Sequence, residues 1–181
     1  MLEATLCFLI REDGPRQVLL GLKKVGFGRG KYGGVGGKLD EDETPAHAAA
    51  RELFEETGIV AKEADLKRQA CLRFHFPHRS EWTQKVHAFT ATSWVGAARE
   101  GREIVPVWFP VGEIPYDRMW DDCRYWLPRV LGGEEIDATF VFAADNGTVE
   151  AFDIRSWAGD WTDTEDTDGG DDGSTDHAVA R

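Results

Sequence analysis

The chain has 181 residues, 41% of them hydrophobic, three cysteines and a net charge of −12. That is enough apolar material for one ordinary domain with a core, but no stretch is long enough to cross a bilayer. An acidic chain is also a poor partner for the phosphate backbone of a nucleic-acid polymer. Cys7, Cys71 and Cys123 are scattered and odd in number, which fits reduced thiols in a cytoplasmic protein better than a disulfide framework or a zinc site.

Residues 4–11 and 17–23 run apolar or alternate around Asp13-Gly14-Pro15 and read as strands. The five apolar residues from Leu6 to Ile10 make a short strand, not a signal peptide. Residues 24–37 form a glycine-rich loop. A helix is predicted over 45–57, with Thr44 as its N-cap, Pro45 at the first helical position and Gly58 at its end. Strands follow at 66–76, 86–94 and 104–110, and a helix begins near Asp121, where acids favour the positive helix end. Residues 138–144 and 149–154 form a hairpin around Asn146-Gly147. The fold class is α+β, a mixed sheet flanked by helices. Residues 1–157 make the domain. Residues 158–181 hold eight acids against one base, Arg181, and are expected to be a disordered acidic tail.

At about 100° per residue the first helix places Ala46, Ala50, Leu53 and Thr57 on one side and Glu52, Glu55 and Glu56 on the other. Like charges three and four apart cost a helix about 0.2–0.5 kcal/mol per pair, and a bound cation removes that repulsion. Hard oxygen ligands select Mg²⁺, with Mn²⁺ as the alternative. Taken alone, three glutamates at this spacing more often form a solvated face, and Arg51 could be an ordinary i,i+4 partner of Glu55.

The surrounding motif changes that balance. Residues 37–59, GKLDEDETPAHAAARELFEETGI, fit G-x5-E-x7-R-E-U-x-E-E-x-G-U, with U apolar. The fixed positions are Gly37, Glu43, Arg51, Glu52, Leu53, Glu55, Glu56, Gly58 and Ile59. This is a Nudix box, and the chain resembles a Nudix hydrolase. VLLGLKK, GFGRGKYGGVGGK and MWDDCRYWLP extend the likeness over about residues 1–155, toward the MutT-homologue branch that clears oxidised purine nucleoside triphosphates such as 8-oxo-dGTP.

The resemblance implies an α/β/α sandwich and Mg²⁺-dependent hydrolysis of a small-molecule nucleotide to its monophosphate and pyrophosphate. It implies metal ligands at Glu52, Glu55, Glu56, Glu103 and the Gly36 carbonyl. Glu52, Glu56 and Glu103 are the catalytic carboxylates, with Glu56 or Glu103 as proton acceptor, while Glu43 braces Arg51. Substrate would be met by Lys23, Gly33, Val35, Gly36, Gly37 and Lys38. A base pocket would be made by Trp120, which stacks on the purine, with Phe27 and Phe74; Trp126 reads mainly as core. At the base edge, Asp122 and Cys123 stand where the family has two aspartates, and a one-residue slip would make Asp121 and Asp122 the pair. Gly33 replaces a family asparagine and Phe8 a threonine. Such exchanges leave base-edge groups unpaired or met by water. Two further readings follow: a pyrophosphatase with broad or different nucleoside diphosphate-linked substrates, and a nucleotide-sensing domain without catalysis. Retention of every box carboxylate favours an enzyme.

Overall fold

β1 (Leu2–Arg11) is buried on both faces, with Phe8 and Ile10 in one core and Cys7 and Leu9 in the other. That is why its sequence runs apolar instead of alternating. It lies parallel to β5 (Gln84–Ala91), in register from Leu2↔Gln84 to Leu9↔Ala91. The computed structural model describes residues 1–161 and 176–179. Around this pair run β2 (Gln17–Lys23), β3 (Tyr32–Gly33), β4 (Lys67–His75), β6 (Ile104–Pro110), β7 (Ile136–Phe142), β8 (Val149–Ser156) and β9 (Asp176–Val179). The spatial order is β3-β2-β1-β5-β4-β7-β8-β9, with β6 also paired to β2.

Helix α1 (Pro45–Thr57) lays Ala49 and Leu53 against Cys7, Leu9, Leu19 and Phe89. Helix α2 (Cys123–Leu131) packs Trp126, Leu127 and Val130 against Phe8, Ile10 and Leu20 on the opposite face. The result is the expected α/β/α layering. α1 is capped as its sequence requires. Thr44 Oγ1 accepts a hydrogen bond from the His47 amide at 3.2 Å, and Gly58, with φ of 77°, donates its amide to the Phe54 carbonyl at 2.8 Å.

Three details differ from the sequence reading. β3 lies within the expected glycine-rich loop. It has two residues, too few for any periodicity, and exists by pairing with Gly21 and Leu22 of β2. The buried stripe of α1 takes in Glu56, which the helical wheel set opposite Leu53. Of the expected tail, residues 162–175 and 180–181 lie outside the described residues, whereas Asp176–Val179 pair antiparallel with β8 as β9.

Candidate active site

Residues 35–38 run along β1. The Cys7 amide donates to the Val35 carbonyl at 2.7 Å, the Val35 amide returns a bond to Cys7 at 3.0 Å, and the Thr5 amide donates to the Gly37 carbonyl at 2.8 Å. Residues 35 and 37 thus face β1, and the intervening Gly36 turns its amide and carbonyl the other way. Its amide donates to Glu56 Oε2 at 3.2 Å. A side chain on Gly36 would run into the Thr5 carbonyl, and a Cβ on Gly37 would lie 2.5 Å from the Glu52 carboxylate. A methyl group on Gly36 has no room, because the loop meets the backbone of β1 there, whereas one on Gly37 would push only the end of the Glu52 side chain aside.

The carboxylates of α1 border a cleft of about 800 Å³. Glu56 is nearly buried, and burial raises its carboxyl from the ordinary 4.5 to about 7, against the opposing pull of Lys23 and the Gly36 amide. Burial likewise raises Glu52. Lys23 Nζ lies 3.0 Å from Glu103 Oε2 and 3.6 Å from Glu56 Oε1. Arg51 holds Glu43 through two contacts of 2.8 Å, and also reaches Glu52 at 2.9 Å, Glu55 at 3.4 Å and the Lys38 carbonyl at 3.1 Å. Glu43 also accepts the Asp40 amide, and its carboxyl falls to about 2, first because of the Arg51 hydrogen bonds. A bidentate pair of this kind fixes the box loop to the helix.

The donors at this end are all hard oxygens, the chemistry a divalent cation such as Mg²⁺ takes. Among the described residues no three of these side chains are yet gathered as a metal cluster. Arg51 touches Glu52, and Lys23 contacts both Glu56 and Glu103.

The other end of the cleft is aromatic. Trp120 is met edge-on by Phe76, Trp82 and Phe142, and Phe27 stacks over it. Lys31 Nζ lies 5.0 Å from the Trp120 ring centroid. Asp122 sits below them, 3% exposed, and accepts a 2.7 Å hydrogen bond from Trp126 Nε1. Burial raises its carboxyl to about 6, and the Trp126 bond opposes that rise. Cys123 stands beside it, its thiol pushed well above the usual range by burial.

A family model described as the NUDIX domain matches residues 2–130. The chain belongs to the Nudix family. It is 37% identical over 150 residues to an oxidized purine nucleoside triphosphate hydrolase of Danio rerio, covering 83% of this chain and 94% of that protein. It is 37% identical over 141 residues to the protein of the same name from Mus musculus, covering 78% and 88%. A MutT protein of Bacillus halodurans has the same fold, with a TM-score of 0.71 over 85% of this chain and 97% of that one at 21% identity.

In this Nudix protein the cleft gathers Lys23, Gly33, Gly36, Gly37, Lys38 and the four glutamates at one end, and Phe27, Phe74, Trp120, Asp122 and Cys123 at the other. Two expected substrate contacts fall elsewhere. The Val35 side chain is fully buried in the core beneath α1, because its backbone pairing with Cys7 turns it away from the cleft. Asp121 accepts the Val149 amide at 2.9 Å and pairs with Arg124 at 3.0 Å, tying the start of α2 to β8. Asp122 and Cys123 line the cleft, and Asp121 does not. Trp126 is core, edge-on to Phe8 at 5.8 Å between ring centroids. Sequence reading missed Lys31, although it lies within the GFGRGKYGGVGGK run, and Phe76, Trp82 and Phe142, which reach the cleft from separate elements with no motif between them.

Proposed function

We propose that this Nudix hydrolase cleaves oxidised purine nucleoside triphosphates, such as 8-oxo-dGTP, to the monophosphate and pyrophosphate with Mg²⁺. The observation that carries the reading is one cleft with a carboxylate end and an aromatic end closed by a buried aspartate. The names of the two vertebrate relatives point the same way.

Glu52, Glu55, Glu56, Glu103 and the Gly36 carbonyl would hold the cation. When bound, it would neutralise phosphate charge and make water more acidic. Glu56 or Glu103 would take the proton from the attacking water. Lys23 and Lys38 would meet phosphate oxygens, and Arg51, pinned by Glu43, would keep α1 and the box loop in register. Trp120 would stack on the base, a contact worth about 1–3 kcal/mol with little base preference of its own. Asp122 would read the base edge.

A second reading, broader base tolerance, is favoured by Gly33, where an added Cβ would have no atom within 4 Å. The test is a panel of kcat/KM values. An advantage of 8-oxo-dGTP over dGTP supports the first reading; equal values favour the second.

A further inference from the structure

Resting on that reading of the carboxylates as metal ligands, we infer that Lys23 is an internal counter-ion. Its ammonium occupies the Glu56–Glu103 pair in the metal-free protein and must leave before a divalent cation enters.

Lys23 and Arg51 both pair with the glutamates of this end, and they are held differently. Arg51 is locked by the bidentate pair with Glu43 and by the Lys38 carbonyl, so it stays in place while touching Glu52. The Lys23 ammonium is on a flexible stem and pairs with Glu56 and Glu103, both residues assigned to the metal. Its backbone is fixed: Lys23 pairs with Ile104 across β2 and β6, and its amide donates to the Lys31 carbonyl at 3.0 Å. The next amide, that of Lys24, donates to the Glu103 carbonyl at 2.7 Å. The stem therefore swings from a rigid root set beside Glu103.

The burial of Glu56 favours such a group. Glu56 is nearly buried, and a charge there without a partner is costly. The ammonium supplies that partner when no metal does. A divalent cation brings twice the charge to the same oxygens and displaces it. The freed ammonium remains in the cleft, where incoming phosphate is its natural partner. Metal loading and phosphate recognition thus share one side chain, which trades carboxylate for phosphate as the site fills.

The test is Mn²⁺ binding to the full chain without nucleotide, followed by electron paramagnetic resonance. Lys23→Met is expected to bind Mn²⁺ about fivefold or more tightly than wild type, because the competing cation is gone. Lys23→Arg, which keeps the charge and can pair bidentately with a carboxylate, should bind Mn²⁺ no more tightly than wild type. Lys31→Met removes the same charge at the far end of the cleft and should also stay within about twofold. In wild type, the NMR signal of the Lys23 side-chain nitrogen should shift on Mg²⁺ addition and saturate with the carboxylate resonances. Unchanged or weaker Mn²⁺ binding by Lys23→Met overturns the inference, as does an equal gain in Lys31→Met. If wild type binds no Mn²⁺ at all, the metal-site reading itself falls, and this inference with it.

Discussion

The ring of Phe27 lies over that of Trp120, their centroids 4.9 Å apart and their planes 19° from parallel. A base slipped between two rings needs about 7 Å, two contact distances of about 3.5 Å. A purine stacking on this face must therefore displace Phe27, which is 44% exposed and flanked by Gly26 and Gly28, both at positive φ. The loop can yield at those glycines without disturbing the sheet.

Replacing Trp120 by Ala should raise KM for the nucleoside triphosphate about 10- to 100-fold with a smaller change in kcat, the size of one lost stacking contact. Trp120→Phe should recover most of it. Steady-state kinetics on the two variants decide the matter; an unchanged KM in Trp120→Ala would remove Trp120 from the base site.

Gly36 and Gly37 are adjacent but should fail in different ways. Gly36→Ala sets a methyl group against the backbone of β1 and should destabilise the fold by about 2–3 kcal/mol. Gly37→Ala meets only the tip of the Glu52 side chain, which can swing aside. Its melting temperature should stay near wild type while kcat falls about 10- to 100-fold from the misplaced carboxylate. Thermal unfolding and turnover on both variants check the contrast.

Arg51→Met should destabilise the protein by about 1–2 kcal/mol, since it removes the bidentate partner of the Glu43 carboxylate. Glu43 has a depressed carboxyl, at about 2. The stability it contributes is present above the ordinary 4.5 and lost as pH falls through about 2. The gap between wild type and Arg51→Met, measured by urea unfolding, should therefore narrow in acid.

Glu56 has the opposite sign. Its carboxyl is raised to about 7, so the fold binds its proton more tightly than the unfolded chain does. In metal-free protein its stabilising contribution is full below about 4.5 and is lost as pH rises through 7. Glu56→Gln, which stays neutral, should gain on wild type over this window by on the order of 2 kcal/mol. Unfolding in chelator across the range measures this, and a pH-independent difference would rule it out.

The box and its flanks were legible because several of their positions have a local task. Thr44 and Gly58 cap α1, Glu43 and Arg51 form a pair, and Gly36 and Gly37 meet β1 and Glu52. What sequence could not give depends on contacts between distant segments. Glu56 belongs to the buried edge of α1 because the 33–38 loop closes over it, a fact no helical wheel contains. Val35 and Asp121 are expected at the substrate, but Val35 pairs its backbone with Cys7, and the Asp121 carboxylate accepts the Val149 amide. The aromatic end comes from β4, β7 and the loops at Phe27, Trp82 and Trp120, and only the sheet order brings these together.

Product analysis of 8-oxo-dGTP turned over in Mg²⁺, for wild type and Glu52→Gln, addresses the carboxylate site most directly. Wild type should release pyrophosphate and the monophosphate, stop when chelator is added, and lose several orders of magnitude in rate on Glu52→Gln. Release of orthophosphate and the diphosphate, or near-wild-type turnover by Glu52→Gln, would contradict it.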